Sequence, residues 1–473
     1  MKNSAFVFVL LFNSTLVFGQ NFGLDSLSTW KREGLPEIDK EIFNDIWGWH
    51  DGNGREYAIM GSLDSVYFIE VTDPKKPVLR DVKAGKSRYA IHRDFKTYKN
   101  YCYAVADEGQ ASLQIFDLSY LPDSVSKVYD DNEHCEKVHN IFIEQNKLYL
   151  GTCRPVTGGV VPMRVLLLEN PEKPTLLCDV YGPKIGGNSL FKEVHDLYVK
   201  NDTVYCSTGN DGLFTVAYQK DSTLKKNTDS SWYEYTHNYD LVQWGAIVSY
   251  PSQGYNHSSW MTQDSRYMVM ADETHGAKLK MLEFTWTDVP EVLSTFGSRS
   301  NEGSIPHNVF IHKKKVYVSY YHQGVLVYDI ENPSYPQNIA HWDTYPDNIE
   351  FSGMYGCWGI YPFLPSGNII ASDQIYGLFV LNLKTSVSEH ALQSNIEVFP
   401  NPTDGEGFNV SVFSGEDSIQ KINIFNINGK LVYSVNNCQS ELYIHKNDLG
   451  GSGVYVLKAW SKGQFATKKI IFK

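Results

Sequence analysis

The sequence lacks three features: a long apolar run after its first twenty residues, a closely spaced cysteine pair, and an excess of positive charge. Spanning a bilayer takes about 20 apolar residues, so we expect no transmembrane segment in the mature chain. Without a C-x-x-C spacing, zinc-ribbon and thioredoxin-like centres are excluded. With 42 Lys and Arg against 54 Asp and Glu, the chain repels nucleic acid, and we expect no such partner.

Complete catalytic motifs are missing as well. The sequence contains neither G-x-S-x-G nor H-E-x-x-H, which excludes the hydrolase nucleophile elbow and the zincin helix. We therefore assign no catalytic residue and leave open whether the protein is an enzyme.

The composition is that of a folded protein with a large core. The chain has 473 residues, 42% of them hydrophobic and 14% aromatic. This length exceeds one average domain, so we expect at least two folding units.

The N-terminus reads as an export signal. Lys2 precedes an apolar run from 5 to 12, and Val17 and Gly19 are small residues suited to a signal peptidase site. We predict a signal peptide over 1–19 with cleavage after Gly19, and hence a secreted protein.

Export brings the seven cysteines into a compartment where disulfides form. An odd number leaves at least one thiol unpaired or in an intermolecular bond. Cys153 and Cys178 fall in one repeat of the chain and are the best candidate pair, provided that their Cα atoms come within about 7 Å.

The C-terminal part is predicted to be a small β-sandwich over 396–473, after a polar linker over 386–395. Its motifs are Pro400-Asn401-Pro402, a hairpin around Asn428-Gly429 and a final strand ending at Lys473. The segment resembles the type A sorting domain of the type IX secretion system. That resemblance implies the type IX machinery as a partner, passage across the outer membrane, and a secreted protein that is released or held at the cell surface.

The middle of the chain, 20–385, contains a repeat. Five copies begin with a histidine, followed by an apolar run, a polar turn and a second apolar run, which is the pattern of a β-hairpin. The five are His92, His139, His195, His257 and His307. Two further copies lack the histidine and begin near Asn44 and Gly356. Four strands in each of seven copies predict an all-β fold, a seven-bladed β-propeller.

The last copy is one strand short, and the segment from Leu24 to Trp30 has the pattern of an outer strand. We predict that this N-terminal strand closes the ring, which removes exposed sheet edges.

The start of the first copy at Asn44-Asp45-Ile46-Trp47 and the stretch from Tyr361 to Ile370 resemble the LVIVD-repeat, or choice-of-anchor B, proteins. The resemblance implies a cell-surface β-propeller tied down by a C-terminal anchor. The resemblance points to no particular biochemical activity. The segment 219–254 departs from the repeat as an insertion.

The propeller topology places the five repeat histidines near one mouth of the central channel, beside loops that carry Asp272 and Glu273. Imidazoles with carboxylates are candidate ligands for a divalent metal ion or for another ligand. The alternative is architectural, since a histidine at the start of an inner strand also serves by bonding to the next blade. The sequence favours the architectural role.

Two functions remain. The first is a non-catalytic binding module for a glycan or protein ligand at the cell surface or in the medium. The second is a metal-dependent hydrolase or lyase with its ion on the face lined by histidines and acids.

Overall fold

The computed structural model describes residues 21–182, 184–185, 188–221, 225–226, 233–234, 238–284, 290–298, 303–347, 353–384, 396–412, 419–427, 429–438, 441–461 and 464–472. The predicted signal peptide and linker lie outside these ranges. The chain divides into two compact units, 1–383 and 384–473. Both are built from antiparallel β-sheets, in agreement with the predicted all-β class.

In the first unit, the described residues form seven four-stranded sheets, numbered here by the chain order of their innermost strands. The opening strand, β1 (Leu24–Trp30), belongs to the last of them. Sheet 1 contains β2 (Phe43–His50), β3 (Glu56–Ser62), β4 (Ser65–Glu70) and β5 (Val78–Ala84). Sheet 2 contains β6 (Arg93–Tyr98), β7 (Tyr101–Ala106), β8 (Leu113–Asp117) and β9 (Ser126–Asp131). Sheet 3 contains β10 (Asn140–Glu144), β11 (Lys147–Cys153), β12 (Val161–Leu167) and β13 (Thr175–Val180). A two-stranded hairpin of β14 (Lys184–Ile185) and β15 (Asn188–Ser189) follows.

Sheet 4 contains β16 (Asp196–Lys200), β17 (Thr203–Ser207), β18 (Leu213–Asp221) and, beyond a short pair of β19 (Lys225–Lys226) and β20 (Tyr233–Glu234), β21 (Asn238–Ile247). The segment that departs from the repeat thus supplies an outer strand. Sheet 5 contains β22 (Asn256–Met261), β23 (Tyr267–Asp272), β24 (Leu279–Glu283) and β25 (Glu291–Phe296). Sheet 6 contains β26 (Pro306–His312), β27 (Lys315–Tyr320), β28 (Gly324–Asp329) and β29 (Gln337–Trp342). Sheet 7 contains β30 (Cys357–Tyr361), β31 (Asn368–Asp373), β32 (Gly377–Leu383) and β1. A 3-10 turn, η1 (Tyr321–Gln323), separates β27 from β28.

Local sequence accounts for the inner hairpins. Short apolar runs form their strands, and two-residue turns join four of the seven pairs, β6–β7, β10–β11, β16–β17 and β26–β27. In the turns of sheets 4 and 6, Asn201-Asp202 and Lys313-Lys314 all have positive φ, as a type I′ turn requires. This turn has the twist of the flanking strands and so fixes the pairing of these two hairpins.

The innermost strands of the seven sheets contact one another in a closed cycle. Each touches the next along the chain, and β30 of sheet 7 packs on β2 of sheet 1. Apolar clusters fill the spaces between neighbouring sheets; for example, Val269 and Leu279 of sheet 5 share a buried cluster with Val309 and Val316 of sheet 6.

The pairing predicted for the N-terminal strand is confirmed. Strand β1 runs antiparallel to β32, with Leu24 opposite Leu383 and Trp30 opposite Leu378. Leu24 is only 2% exposed, and the Trp30 ring packs 5.5 Å from that of Tyr67 in sheet 1. The first and last strands of this unit are therefore joined in one sheet.

The predicted Cys153–Cys178 disulfide is wrong, since both residues are free thiols. Cys153 lies on β11 and Cys178 on β13, with β12 between them. Two strand spacings are about 9.5 Å, beyond the reach of a disulfide. The two also face different levels of β12, since Cys153 is opposite Val161 and Cys178 is opposite Val165.

The second unit consists of two sheets. Its strands are β33 (Ile396–Phe399), β34 (Gly407–Val412), β35 (Ile419–Asn426), β36 (Leu431–Cys438), β37 (Glu441–His445), β38 (Gly453–Ser461) and β39 (Gln464–Phe472), with a 3-10 turn η2 (Lys446–Leu449). The sheet orders are β33-β34-β37 and β36-β35-β38-β39. Phe408, Ile422, Leu457 and Ile470 belong to their shared buried core. In the described ranges, neither 3-10 turn approaches the length or apolar character of a membrane-spanning helix.

Candidate functional site

The five repeat histidines gather at one end of the innermost strands. Their rings and the indole of Trp358 form a closed ring of six aromatic side chains, with neighbouring centroids between 4.1 and 5.3 Å apart. Trp358 occupies the place of the missing histidine in sheet 7. Sheet 1 contributes no ring at this level, because the start of β2 carries Asn44 and Asp45 instead of a histidine.

Strand irregularities aim some of these side chains inward. The pairing registers of β22 with β23 and of β30 with β31 shift at the start of the inner strand, and His257 and Trp358 are the skipped residues. A β-bulge re-aims a side chain in this way. As a result, His257 and Trp260 line the same pocket, although residues three apart on a regular strand point to opposite faces.

Carboxylates from the second-to-third strand loops meet the imidazoles. His92 shares a short hydrogen bond through Nδ1 with Glu108. His139 donates from Nδ1 to Asp107 over 3.0 Å, and Arg154 donates to the other oxygen of Asp107 over 2.9 Å. Asp107 and Glu108, in the loop between β7 and β8, thus lie beside the histidines.

Glu273 approaches a different part of the histidine ring from Glu108. Its carboxylate oxygens lie 3.9 Å from His257 Nε2 and 3.8 Å from His307 Nε2, and it accepts a hydrogen bond of 2.5 Å from the Tyr321 hydroxyl. The structure thus brings Glu273 to the imidazoles, as the sequence suggested.

Asp272 is placed elsewhere. Its carboxylate pairs with Lys280 Nζ at 2.8 Å, both side chains fully buried, and accepts hydrogen bonds from the hydroxyl of Tyr250 and the backbone of Gly254. These contacts give it an architectural role within sheet 5.

Several site residues were not found from the sequence. The Tyr255 hydroxyl lies 3.0 Å from His195 Nδ1 and donates to Glu193 over 3.0 Å. Tyr321, which orients Glu273, sits in the turn η1. Because these residues lie outside the repeated strand pattern, their positions could not be read from periodicity. The only available signal for Tyr255 and Glu193 was that each stands two residues before a repeat histidine.

The electrostatics of the ring differ from side to side. Burial lowers the pKa of His257 to about 3, with neighbouring imidazoles adding to the effect. Burial and the other imidazoles likewise hold the pKa values of His195 and His307 well below the ordinary range. Burial would also lower the pKa of His92, but the hydrogen bond and charge of Glu108 outweigh it and raise that pKa. The imidazole of His92, beside Glu108, therefore binds a proton more readily than a free histidine does. The imidazoles of His195, His257 and His307 bind one less readily.

Below the histidine ring lies a layer of buried charge. Lys96 Nζ contacts Asp94 at 2.6 Å and lies 4.4 Å from the centre of the Trp47 ring. Asp94 also accepts from the backbone NH of Ile141 in the next sheet at 2.6 Å. Burial, followed by the charge of Asp94, raises the pKa of Asp45 well above its usual value.

Still deeper, aromatic side chains pack together. Trp260 lies 4.8 Å from Phe310 and 5.4 Å from Phe363 between ring centroids, and Phe142 and Trp47 complete the group. The histidine ring, the charged layer and four of the aromatic residues, Trp47, Phe142, Trp260 and Phe310, line one cavity of about 50 Å³. That volume accommodates more than one water molecule, since holding one takes about 10 to 15 Å³ of such space.

Among the described residues, one group of side chains could hold a metal ion. Ligand atoms of His195, His257 and Glu273 all lie within 4.8 Å of one another. The group contains three of the predicted site residues and excludes Asp272.

Comparison with known proteins identifies the C-terminal segment. Residues 397–473 match the family model of the secretion system C-terminal sorting domain, which confirms the prediction for this end of the chain. Such a tail implies secretion by the type IX system. No curated protein matches the sequence.

Two solved structures are similar over most of the chain. One is PorZ, an essential bacterial surface component of the type IX secretion system of Porphyromonas gingivalis: 13% identity, TM-score 0.41, covering 89% of this chain and 58% of that protein. The other is a predicted 6-phosphogluconolactonase from Bacteroides fragilis NCTC 9343: 8% identity, TM-score 0.44, covering 86% and 99%. This chain therefore spans little more than half of PorZ.

Proposed function

We propose that the protein is an exported seven-bladed β-propeller that acts as a non-catalytic binding module, with its ligand site at the histidine ring and its C-terminal domain as the export signal. The propeller assignment is supported by the closed cycle of seven four-stranded sheets and by β1 completing sheet 7. The resemblance to LVIVD-repeat proteins agrees with this assignment.

The observation that carries the binding proposal is the ring of five imidazoles and Trp358 with its attached carboxylates. It is a preformed concave site with converging polar groups, which is typical of a ligand site. A purely architectural histidine would need only its bond to the neighbouring sheet, as His307 makes from Nδ1 to the Trp358 carbonyl at 2.6 Å. The added carboxylate contacts of His92 and His139 go beyond that need.

The export half of the proposal is tested by removing 397–473. We expect the truncated protein to fold and stay in the periplasm, because the two units have separate cores. Cell fractionation with the full-length chain as control measures this. Truncated protein at the surface or in the medium in normal amounts would contradict the proposal.

The binding half is tested by a thermal-shift screen of the full-length protein against glycans, candidate protein ligands and metal ions. A ligand that binds only the folded state raises the melting temperature. We expect at least one such ligand, with its effect weakened in Glu273→Gln and unchanged in the exposed variant His50→Gln. Shifts that are equal in both variants would place binding away from the histidine ring.

A metal-dependent hydrolase or lyase remains the second candidate function, favoured by the grouping of His195, His257 and Glu273. Turnover of a substrate that stops in chelator and returns with metal would establish it.

A further inference from the structure

We propose that His195, His257 and Glu273 bind a divalent transition-metal ion of the zinc type. The inference rests on the proposed function and deepens it by naming the ligand of the pocket. Two imidazoles and one carboxylate form a known zinc ligand set that leaves a fourth position open. Their ligand atoms lie within 4.8 Å of one another, whereas ligands of a tetrahedral zinc ion are about 3.3 Å apart, so modest side-chain movements complete the site.

Hydrogen bonds at the outer nitrogens determine what the imidazoles present to the pocket. Glu193 can only accept, so the Tyr255 hydroxyl donates to it, and the Tyr255 oxygen must accept from His195 Nδ1. His195 Nε2 then carries no proton, and its lone pair is available to a metal ion. Partners of this kind, which fix the tautomer of a ligand histidine, accompany most protein metal sites.

The same reasoning applies to two further rings. His139 donates from Nδ1 to the Asp107 carboxylate, and His307 donates from Nδ1 to the Trp358 carbonyl. In their neutral forms, both rings therefore turn a lone pair on Nε2 toward the pocket.

Two of these lone pairs oppose each other. His139 Nε2 and His195 Nε2 are 3.1 Å apart. With both Nδ1 atoms acting as donors, nitrogens at this distance repel unless a proton or a metal cation lies at the contact. The contact therefore holds either a shared proton or a metal cation, and in the second case His139 supplies the fourth ligand.

The carboxylate is positioned in the same manner. Tyr321 donates to Glu273 Oε1, while Oε1 and Oε2 face His307 and His257. With Asp107, Glu108 and Glu193 also bonded to members of the ring or its partners, the surroundings favour a cation over an anionic ligand.

The chemistry of the ligands selects among cations. Imidazole-rich sites suit zinc, copper, nickel and iron, whereas calcium and magnesium prefer oxygen ligands. Zinc is accordingly the probe of choice.

The test uses the full-length protein, stripped with chelator and titrated with zinc chloride by calorimetry, with metal content measured after dialysis. We expect one zinc per chain. Glu273→Gln and His195→Gln should weaken zinc binding by more than about 100-fold, and Tyr255→Phe by about 10- to 100-fold through loss of the bond that orients His195. His50→Gln, which changes an exposed histidine at the end of β2, is the matched control and should bind like the parent.

Cobalt(II) gives a second readout. Bound in place of zinc, it should produce intense visible absorption typical of a four-coordinate site, and this absorption should be absent in Glu273→Gln. Thermal unfolding without metal shows whether each variant is folded; Tyr255→Phe, which removes only a hydroxyl, keeps the test valid if a histidine variant unfolds.

Folded parent protein that retains no zinc after dialysis would overturn the proposal, as would equal zinc affinity in Glu273→Gln and His50→Gln. If zinc fails but a glycan or protein raises the melting temperature through the histidine ring, the binding function stands and only the metal assignment falls. If no ligand of any class binds there, the proposed function fails as well.

Discussion

The two ends of the central cavity are built from the same strands but in opposite ways. At one end, imidazoles are held by hydrogen bonds in fixed directions; at the other, Trp260, Phe310 and Phe142 pack against one another. Repeat positions such as His307 and Phe310 are only three residues apart. Inner strands such as β26 therefore carry a polar site residue at their start and an aromatic core residue near their middle.

The largest expected effect comes from the aromatic end. Phe310 is 8% exposed, and Phe310→Ala should lower the free energy of unfolding by about 3 to 5 kcal/mol, because it removes a large buried side chain and leaves a cavity. Urea denaturation measures the loss. Zinc affinity should stay within a few-fold of the parent; a variant of unchanged stability with abolished zinc binding would reverse the roles assigned to the two ends.

The charged layer between the two ends should be the next most sensitive. Lys96→Met keeps the apolar stem but leaves Asp94 without its cation, and breaking a buried ion pair from one side costs about 3 kcal/mol or more. We expect a lower urea midpoint for Lys96→Met. If Lys96→Met is as stable as the parent, the layer is not a structural link between the ends.

The smallest effect concerns pH. The folded-state pKa of Asp45 is raised by burial and by Asp94, so above about pH 4, the ordinary range for aspartate, the folded state holds a proton that the unfolded state releases. Stability therefore falls as pH rises toward the folded pKa. Asp45→Asn should flatten this decline above about pH 4, measured by urea denaturation at a series of pH values.

The matched control for this variant is Glu37→Gln, an exposed residue, whose slope should equal that of the parent. A parent protein whose stability does not decline with pH in a way that depends on Asp45 would contradict the prediction.

Much of the architecture was predictable because it repeats. The spacing of His92, His139 and their counterparts sets the strand pattern, and the apolar alternation from Leu24 to Trp30 was sufficient to find the strand that pairs with β32. Both signals depend on local periodicity, which the sequence displays directly.

The remainder depends on contacts that periodicity does not encode. Tyr255 and Tyr321 reach the site from irregular segments, and the partner of each is distant in the chain. Asp272 and Glu273 are neighbours in sequence, yet a buried lysine engages one and the histidine ring the other. The Cys153–Cys178 pairing failed for a similar reason, since sharing a sheet does not make two strands adjacent.

Sheet 7 sets an order of events for the whole first unit. Its outer strand is the first to emerge during synthesis or transport, but its partner β32 is the last, with Leu24 paired to Leu383. Bringing such distant ends together is slow and entropically costly. Until the end of the unit is available, β1 has no sheet to join and the closed cycle cannot form. Ring closure is therefore a late folding step, which requires a chain that is complete through Leu383.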